Sequence, residues 1–174
     1  ERVDRALFDK IANSYARKDV VPSTSAARRA IVRRAIRPII AERGRLGTVI
    51  DVGCGIGAQA KYLEGDFDHY IGVDYSHELL EIGRRTFAGQ PDIRFIEANV
   101  KDLPIPDEMA DVILIVGALH HMTDLEAVMR SLARIAKPGA NFVAIEPQRG
   151  NPIIQCLRWL RMRLDTNYSS DQHF

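Results

Sequence analysis

No stretch of this 174-residue chain approaches the roughly 18 consecutive apolar residues that cross a bilayer, so no membrane span is expected. A basic–apolar–small cleavage pattern is also missing, so no secretory leader is expected. Cysteine is scarce: Cys54 and Cys156 lie far apart without metal-ligand spacing, which excludes a disulfide scaffold and leaves no metal site to expect. Internal repeats and low-complexity tracts are absent as well, and so is any large charge excess, the net charge being +1. These absences point to one cytoplasmic domain, with a free thiol suited to a reducing compartment. The chain opens at Glu1 rather than Met, so a trimmed or partial chain is expected.

Hydrophobic residues make up 46% of the chain, enough for a proper core. Charge is spread unevenly, because residues 1–46 hold 12 of the 24 Lys/Arg but only 5 of the 23 Asp/Glu. Arg28, Arg29, Arg33, Arg34 and Arg37 fall in one expected helix, either a solvated face or a surface for an acidic substrate or nucleic acid.

The first 46 residues read as a helical cap, RALFDKIANSYARK followed by AARRAIVRRAIRPIIAER, with Ser23 and Thr24 as cap-like residues after Pro22. Ile31, Ala35, Ile36, Ile39 and Ile40 are its expected apolar face. From residue 47 to 150 strands and helices alternate. TVIDVG, HYIGVD, IRFIEA, ADVILIVG and NFVAIEP are the strands, with Pro138-Gly139 as the turn before the last. They are continuous apolar runs, as expected when helices cover both faces of a parallel sheet. The fold class is therefore α/β, a doubly wound Rossmann-like sheet, with ligands beyond the carboxyl ends of the strands. Residues 151–174 form a third segment, a helix and tail.

The stretch VIDVGCGIGAQA places Gly53, Gly55 and Gly57 directly after the first strand, where bare backbone can approach a ligand. It also fits the dinucleotide pattern through Gly53, Gly55 and Ala58. Asp74 ends the second strand, where a carboxylate can accept from both hydroxyls of a ribose, while capping of the next helix belongs to Ser76. Loop and carboxylate together point to an adenosine-containing cofactor.

With DVGCGIG, GVDYS, IEANVKDLPIPDEMADVI, ALHHM and LARIAKPGANFVAIEP in this order, the chain resembles the class I S-adenosylmethionine-dependent methyltransferases, especially the small-molecule, type 11-like branch, over residues 8–147. That resemblance implies the strand order 3-2-1-4-5 and S-adenosyl-L-methionine as cofactor. It implies that Asp51 helps hold the methionine amino group, that backbone around Gly53, Cys54, Gly55 and Gly57 forms the cofactor loop, and that Asp74 holds the ribose. Tyr75 packs on the ribose–adenine unit. Asn99 stands where many members carry Asp for the adenine amino group, Val100 offers its N–H to the ring, and backbone at Val116 and Gly117 receives the amino group. Tyr15 of the cap either touches cofactor or substrate or belongs to a plain amphipathic helix. His120 and His121 border the cleft, as catalytic base or as packing residues.

The family usually closes its sheet with a sixth and seventh strand, and nothing strand-like follows NFVAIEP. Residues beyond Phe174, or a partner chain in a homodimer, are expected to cover the open edge. Methyltransferases of nucleic-acid amines often carry Asn/Asp-Pro-Pro-aromatic after the fourth strand, where this chain has Gly117-Ala118-Leu119-His120. A small-molecule acceptor is the expectation, methylated at oxygen by preference, with carbon or nitrogen acceptors open. NPIIQCLRWLRMRLD reads as a helix docked on the domain, a substrate lid or a membrane-surface helix. An RNA-binding or RNA-modifying protein, a nicotinamide oxidoreductase and an inactive cofactor-binding domain are the alternatives.

Overall fold

The computed structural model describes residues 22–146. After helix α1 (Pro22–Arg43), strand β1 (Thr48–Val52) leads through the glycine loop into short helix α2 (Ala58–Tyr62). Strand β2 (His69–Asp74), helix α3 (His77–Thr86), strand β3 (Ile93–Glu97) and strand β4 (Ala110–Val116) follow. A single 3-10 turn at Leu119–His121, helix α4 (Leu125–Ile135) and strand β5 (Ala136–Ile145) complete the described chain.

The strands form one sheet in the order β3-β2-β1-β4-β5, and every pairing is parallel. Alternate residues of each central strand enter opposite cores, which is why both faces of the runs are apolar. On one side Val49, Tyr70, Val112 and Leu114 meet Val32, Ile36 and Ile39 of α1 and Tyr62 of α2. On the other, Ile50, Val52, Ile71, Ile113 and Ile115 meet Val128, Leu132 and Ile135 of α4. Ile36 is fully buried, so truncation to Ala would cost about 2–5 kcal/mol.

The region read as a cap thus includes a helix that belongs to the sheet's core. Its apolar face is shifted from expectation: Val32, Ile36 and Ile39 point inward at i, i+4 and i+7, whereas Ile31, one step around the helix, is 52% exposed. Residues 1–21, with Tyr15, lie outside the described residues.

The expected Pro138-Gly139 turn between helix and strand takes another form. β5 begins directly at Ala136, opposite Ala110, and the register then jumps to Val112 opposite Asn141. Pro138 and Gly139 sit inside that irregularity, Gly139 with a φ of 77°. Arg43 donates from the end of α1 to the Gly139 carbonyl, and Lys137 reaches Asp111 at 2.7 Å. Among the described residues β5 is an edge strand with Phe142 exposed. The expected lid over 151–165 and whatever covers this edge lie outside the described residues.

Candidate active site

The glycine loop is tied to its neighbouring strand before any ligand is considered. Gly53 and Cys54 both donate N–H to the carbonyl of Val73, at 2.8 and 3.1 Å, and Gly57 donates back to Cys54. The three glycines all have positive φ but face different surroundings. A Cβ on Gly53 would stand 2.4 Å from Cβ of Ala118, and one on Gly57 would stand 2.6 Å from the Phe95 ring. A Cβ on Gly55 would meet nothing nearer than Leu79 Cδ1 at 4.0 Å. Gly53 and Gly57 are thus required by protein neighbours as well, and Gly55 is the one of the three where an added Cβ would face open space. The Cys54 thiol is buried, and burial first, then the charges of Asp74 and Asp51, push its titration well up, so it is a packed thiol and not a nucleophile.

Asp51 is fully buried in the middle of β1, opposite Gly72 of β2. The missing side chain at Gly72 leaves room that Cys54 and Phe95 fill, since a Cβ there would lie 2.8 Å from Sγ and 2.9 Å from the ring. Tyr70, also fully buried, donates its hydroxyl to Oδ2 of Asp51. Oδ1 has no hydrogen-bond partner among the described residues. The Asp51 carboxyl is raised to about 7, chiefly by burial, with the Tyr70 hydrogen bond opposing the rise and the nearby Asp74 charge adding to it. A buried carboxylate oxygen without a donor is a strong demand for one. The methionine ammonium of S-adenosylmethionine is a donor of fitting chemistry, and in the loop that follows a Cβ on Gly55 would have no neighbour nearer than 4.0 Å. Tyr70 was missed in the sequence, where it read as one more apolar strand residue.

Asp74, 7% exposed, accepts from Gly55 N–H at 2.8 Å and from Ser76 N–H at 2.9 Å. It therefore clamps the glycine loop to the end of β2. A carboxylate is acceptor-only, the chemistry that hydroxyls of a ribose would need from it. Ser76 caps α3 as expected, its hydroxyl accepting from Leu79 N–H. Tyr75 is half-buried between them. Past β3, Asn99 is exposed, and its side-chain oxygen accepts from Lys101 N–H at 3.0 Å in a local turn. One lone pair of the atom expected to meet adenine is thus committed to the loop. Val100 packs against the second core, holding that loop on the sheet.

On the far side of β1, the chain leaves β4 at Val116. Gly117, with a φ of 66° and open space where its Cβ would be, donates N–H to the Ile145 carbonyl at 2.7 Å. Glu146, just past β5, organises the next residues. Its Oε1 accepts from the N–H groups of Ala118 and Leu119, at 3.1 and 2.8 Å, and its Oε2 lies 2.7 Å from Nδ1 of His120. The rings of His120 and His121 pack with centroids 4.1 Å apart and planes tilted by 40°. Sequence reasoning placed the histidines at the cleft but passed over Glu146; an acid ending the fifth apolar run, beside the loop after the fourth, was the available signal.

Gly53 against Ala118 brings the two halves together: Asp51, Gly55 and Asp74 on one side, Gly117, His120 and Glu146 on the other. No group of three or more His, Cys, Asp or Glu among the described residues could hold a metal ion. A hollow of about 530 Å³ lies at the opposite end of the sheet, bordered by Arg29, Arg45, Phe67, Phe87 and Asp92. Arg45 there is already bound to Asp68 and to the carbonyls of Gly65 and Phe67. The expected arginine face is also divided: Arg33 pairs with Asp66 and donates to the Tyr62 carbonyl, while Arg34 and Arg37 are exposed.

A family model described as a methyltransferase domain matches residues 50–144. The demethylmenaquinone methyltransferase of Clavibacter sepedonicus is 29% identical over 143 residues, covering 81% of this chain and 56% of that protein. The ubiquinone/menaquinone biosynthesis C-methyltransferase UbiE of Vibrio campbellii is 33% identical over 104 residues, covering 56% of this chain and 40% of that protein. The chain thus spans about half the length of the curated relatives it matches. The crystal structure of YcgJ from Bacillus subtilis superposes with a TM-score of 0.60 at 26% identity, covering 75% of this chain and 58% of that one. No helix among the described residues is long and apolar enough to cross a membrane. The parallel order 3-2-1-4-5, the glycine loop clamped by an acid from β2, and a domain match over more than half the chain agree, and the chain belongs to the class I S-adenosylmethionine-dependent methyltransferase family.

Proposed function

We propose that this protein methylates a ring carbon of a small hydroquinone-type acceptor, using S-adenosylmethionine. The observation that carries the cofactor half is the fully buried Asp51 with one oxygen lacking a donor, next to the open backbone at Gly55. The acceptor half rests on relatives whose names specify demethylmenaquinone and methylation at carbon. The oxygen acceptor expected from the sequence finds no support in those names.

In this reading Asp51 holds the amino group, Asp74 the ribose, Tyr75, Asn99 and Val100 the adenine side, and backbone at Gly53, Cys54, Gly55, Gly57, Val116 and Gly117 the length of the cofactor. The cofactor, when bound, supplies a methyl group as an electrophile, its sulfur keeping the electrons of the broken bond. The protein's task is to align an acceptor carbon, exclude water and move a proton. A quinone ring carbon is electron-poor, so the acceptor must be the reduced, dihydroxy form. Loss of one hydroxyl proton pushes electron density onto the adjacent ring carbon. Histidine suits that proton at neutral pH, and His120 is proposed as the base, with the His121 ring packed at a tilt against it.

The test uses cofactor carrying a ¹³C methyl group and a 2-prenyl-1,4-dihydroxynaphthalene kept reduced. The expected product shows the label as an aryl C–CH₃ signal. A label found as O–CH₃ would overturn the carbon acceptor, and absence of S-adenosylhomocysteine binding in calorimetry would overturn the cofactor site itself.

A further inference from the structure

We infer that Glu146 is a positioning residue that fixes His120 as the tautomer with its proton on Nδ1, leaving Nε2 as the proton-accepting atom. The assignment of His120 as base rests on the function proposed above; the tautomer itself does not.

The geometry has two separable parts. One carboxylate oxygen of Glu146 accepts from the backbone N–H groups of Ala118 and Leu119, which shapes the loop after β4. The other lies 2.7 Å from His120 Nδ1. A carboxylate can only accept, so at this distance the imidazole nitrogen supplies the hydrogen. In a neutral imidazole with the proton on Nδ1, the lone pair is on Nε2. The His121 ring, packed at a 40° tilt with centroids 4.1 Å apart, limits rotation of the His120 ring about this anchor.

For a hydroquinone acceptor the balance is simple. A hydroxyl proton of the acceptor passes to Nε2 of His120. The ring carbon forms its bond to the methyl group while the sulfonium keeps the old bonding pair and becomes a neutral thioether. The hydrogen on the methylated carbon then returns to oxygen through solvent as the ring regains aromaticity, and the imidazolium releases its proton to water. One proton is released per methyl transferred, and no oxidant or reductant is consumed.

Glu146→Gln separates the two parts. The amide oxygen of Gln can still accept from Ala118 and Leu119, so the loop keeps its shape. Its NH₂ then faces His120 and can only donate, which forces Nδ1 to accept and moves the proton to Nε2. Long-range ¹H–¹⁵N spectra of the wild-type protein, with His120 assigned by comparison with His120→Gln, should show the Nδ1–H tautomer; Glu146→Gln should show Nε2–H. In the methylation assay kcat should fall about 100-fold or more, the scale of general-base catalysis. Acceptor KM, S-adenosylhomocysteine affinity and melting temperature should stay close to wild type. An Nε2–H tautomer in the wild-type protein overturns the inference without any variant being made, as does a Glu146→Gln kcat within threefold of wild type. An Nδ1–H wild type that methylates no hydroquinone supports the Glu146–His120 pair and overturns the acceptor assignment instead.

Discussion

Replacing Asp51 by Asn should strengthen the fold at alkaline pH while weakening the cofactor site. In the unfolded chain this carboxyl ionises at its ordinary value of 3.8, and in the folded chain at about 7. Between those values the native state holds a proton that the unfolded state has released, so stability falls as pH rises and levels off above 7. Three units at about 1.4 kcal/mol each place the full penalty near 4 kcal/mol, as expected for a carboxylate with no exposure and one donor. Asn has almost the same shape, can accept from Tyr70, and carries no charge at any pH.

Urea unfolding of wild type and Asp51→Asn at pH 5, 6, 7 and 8 isolates this contribution. From pH 5 to 8 the wild type should lose about 2–3 kcal/mol more than the variant, and above pH 7 the variant should be the more stable protein. Calorimetry with S-adenosylhomocysteine at pH 8 should move the other way, with binding weakened by about 1–3 kcal/mol through loss of the charge-assisted contact to the amino group. Parallel stability curves would refute the raised carboxyl, and unchanged binding would refute its role toward the ammonium.

Asp74→Ala should lower stability by about 1–3 kcal/mol, because the N–H groups of Gly55 and Ser76 lose their acceptor, and should also reduce the thermal shift given by S-adenosylhomocysteine. Gly55→Ala should cost about 1–2 kcal/mol of left-handed strain in urea unfolding and markedly weaken cofactor binding, since its Cβ enters open space. Gly53→Ala should lower the melting temperature further, because its Cβ would strike Ala118. Ser131→Ala should raise stability by about 1 kcal/mol: the hydroxyl is buried in α4 without a partner, and Ala is the better helix former.

The sheet was legible because its strands are apolar runs bounded by turns, and the alternation of strand and helix leaves few ways to wind them. The helix phase was less so: IleVal at 31–32 offers two adjacent apolar residues, and only packing on β1 and β4 selects Val32. The glycine loop was visible as a pattern, yet which glycines the protein's own packing requires depends on Ala118 and Phe95, neighbours that sequence spacing does not reveal. Tyr70 and Glu146 were passed over for a shared reason. Each sits at a strand end and works through a polar atom aimed across the sheet, at Asp51 and at the loop after β4, so its role appears only once register is known.

That register also explains how two loops from different crossovers act as one site. β1 lies between β2 and β4, so the loop leaving it is held from both sides. On the β2 side the hold is polar, through Val73 and Asp74; on the β4 side it is steric, through Gly53 against Ala118. Ala118 is in turn pinned by Glu146 from β5, the same carboxylate that holds His120. A displacement of the loop after β4 therefore presses on the glycine loop through a contact with no side-chain atoms to yield on the Gly53 side. Methyl transfer needs donor and acceptor held in line, and under the proposed function their spacing would be set by backbone and a methyl group, the least compliant parts this chain has.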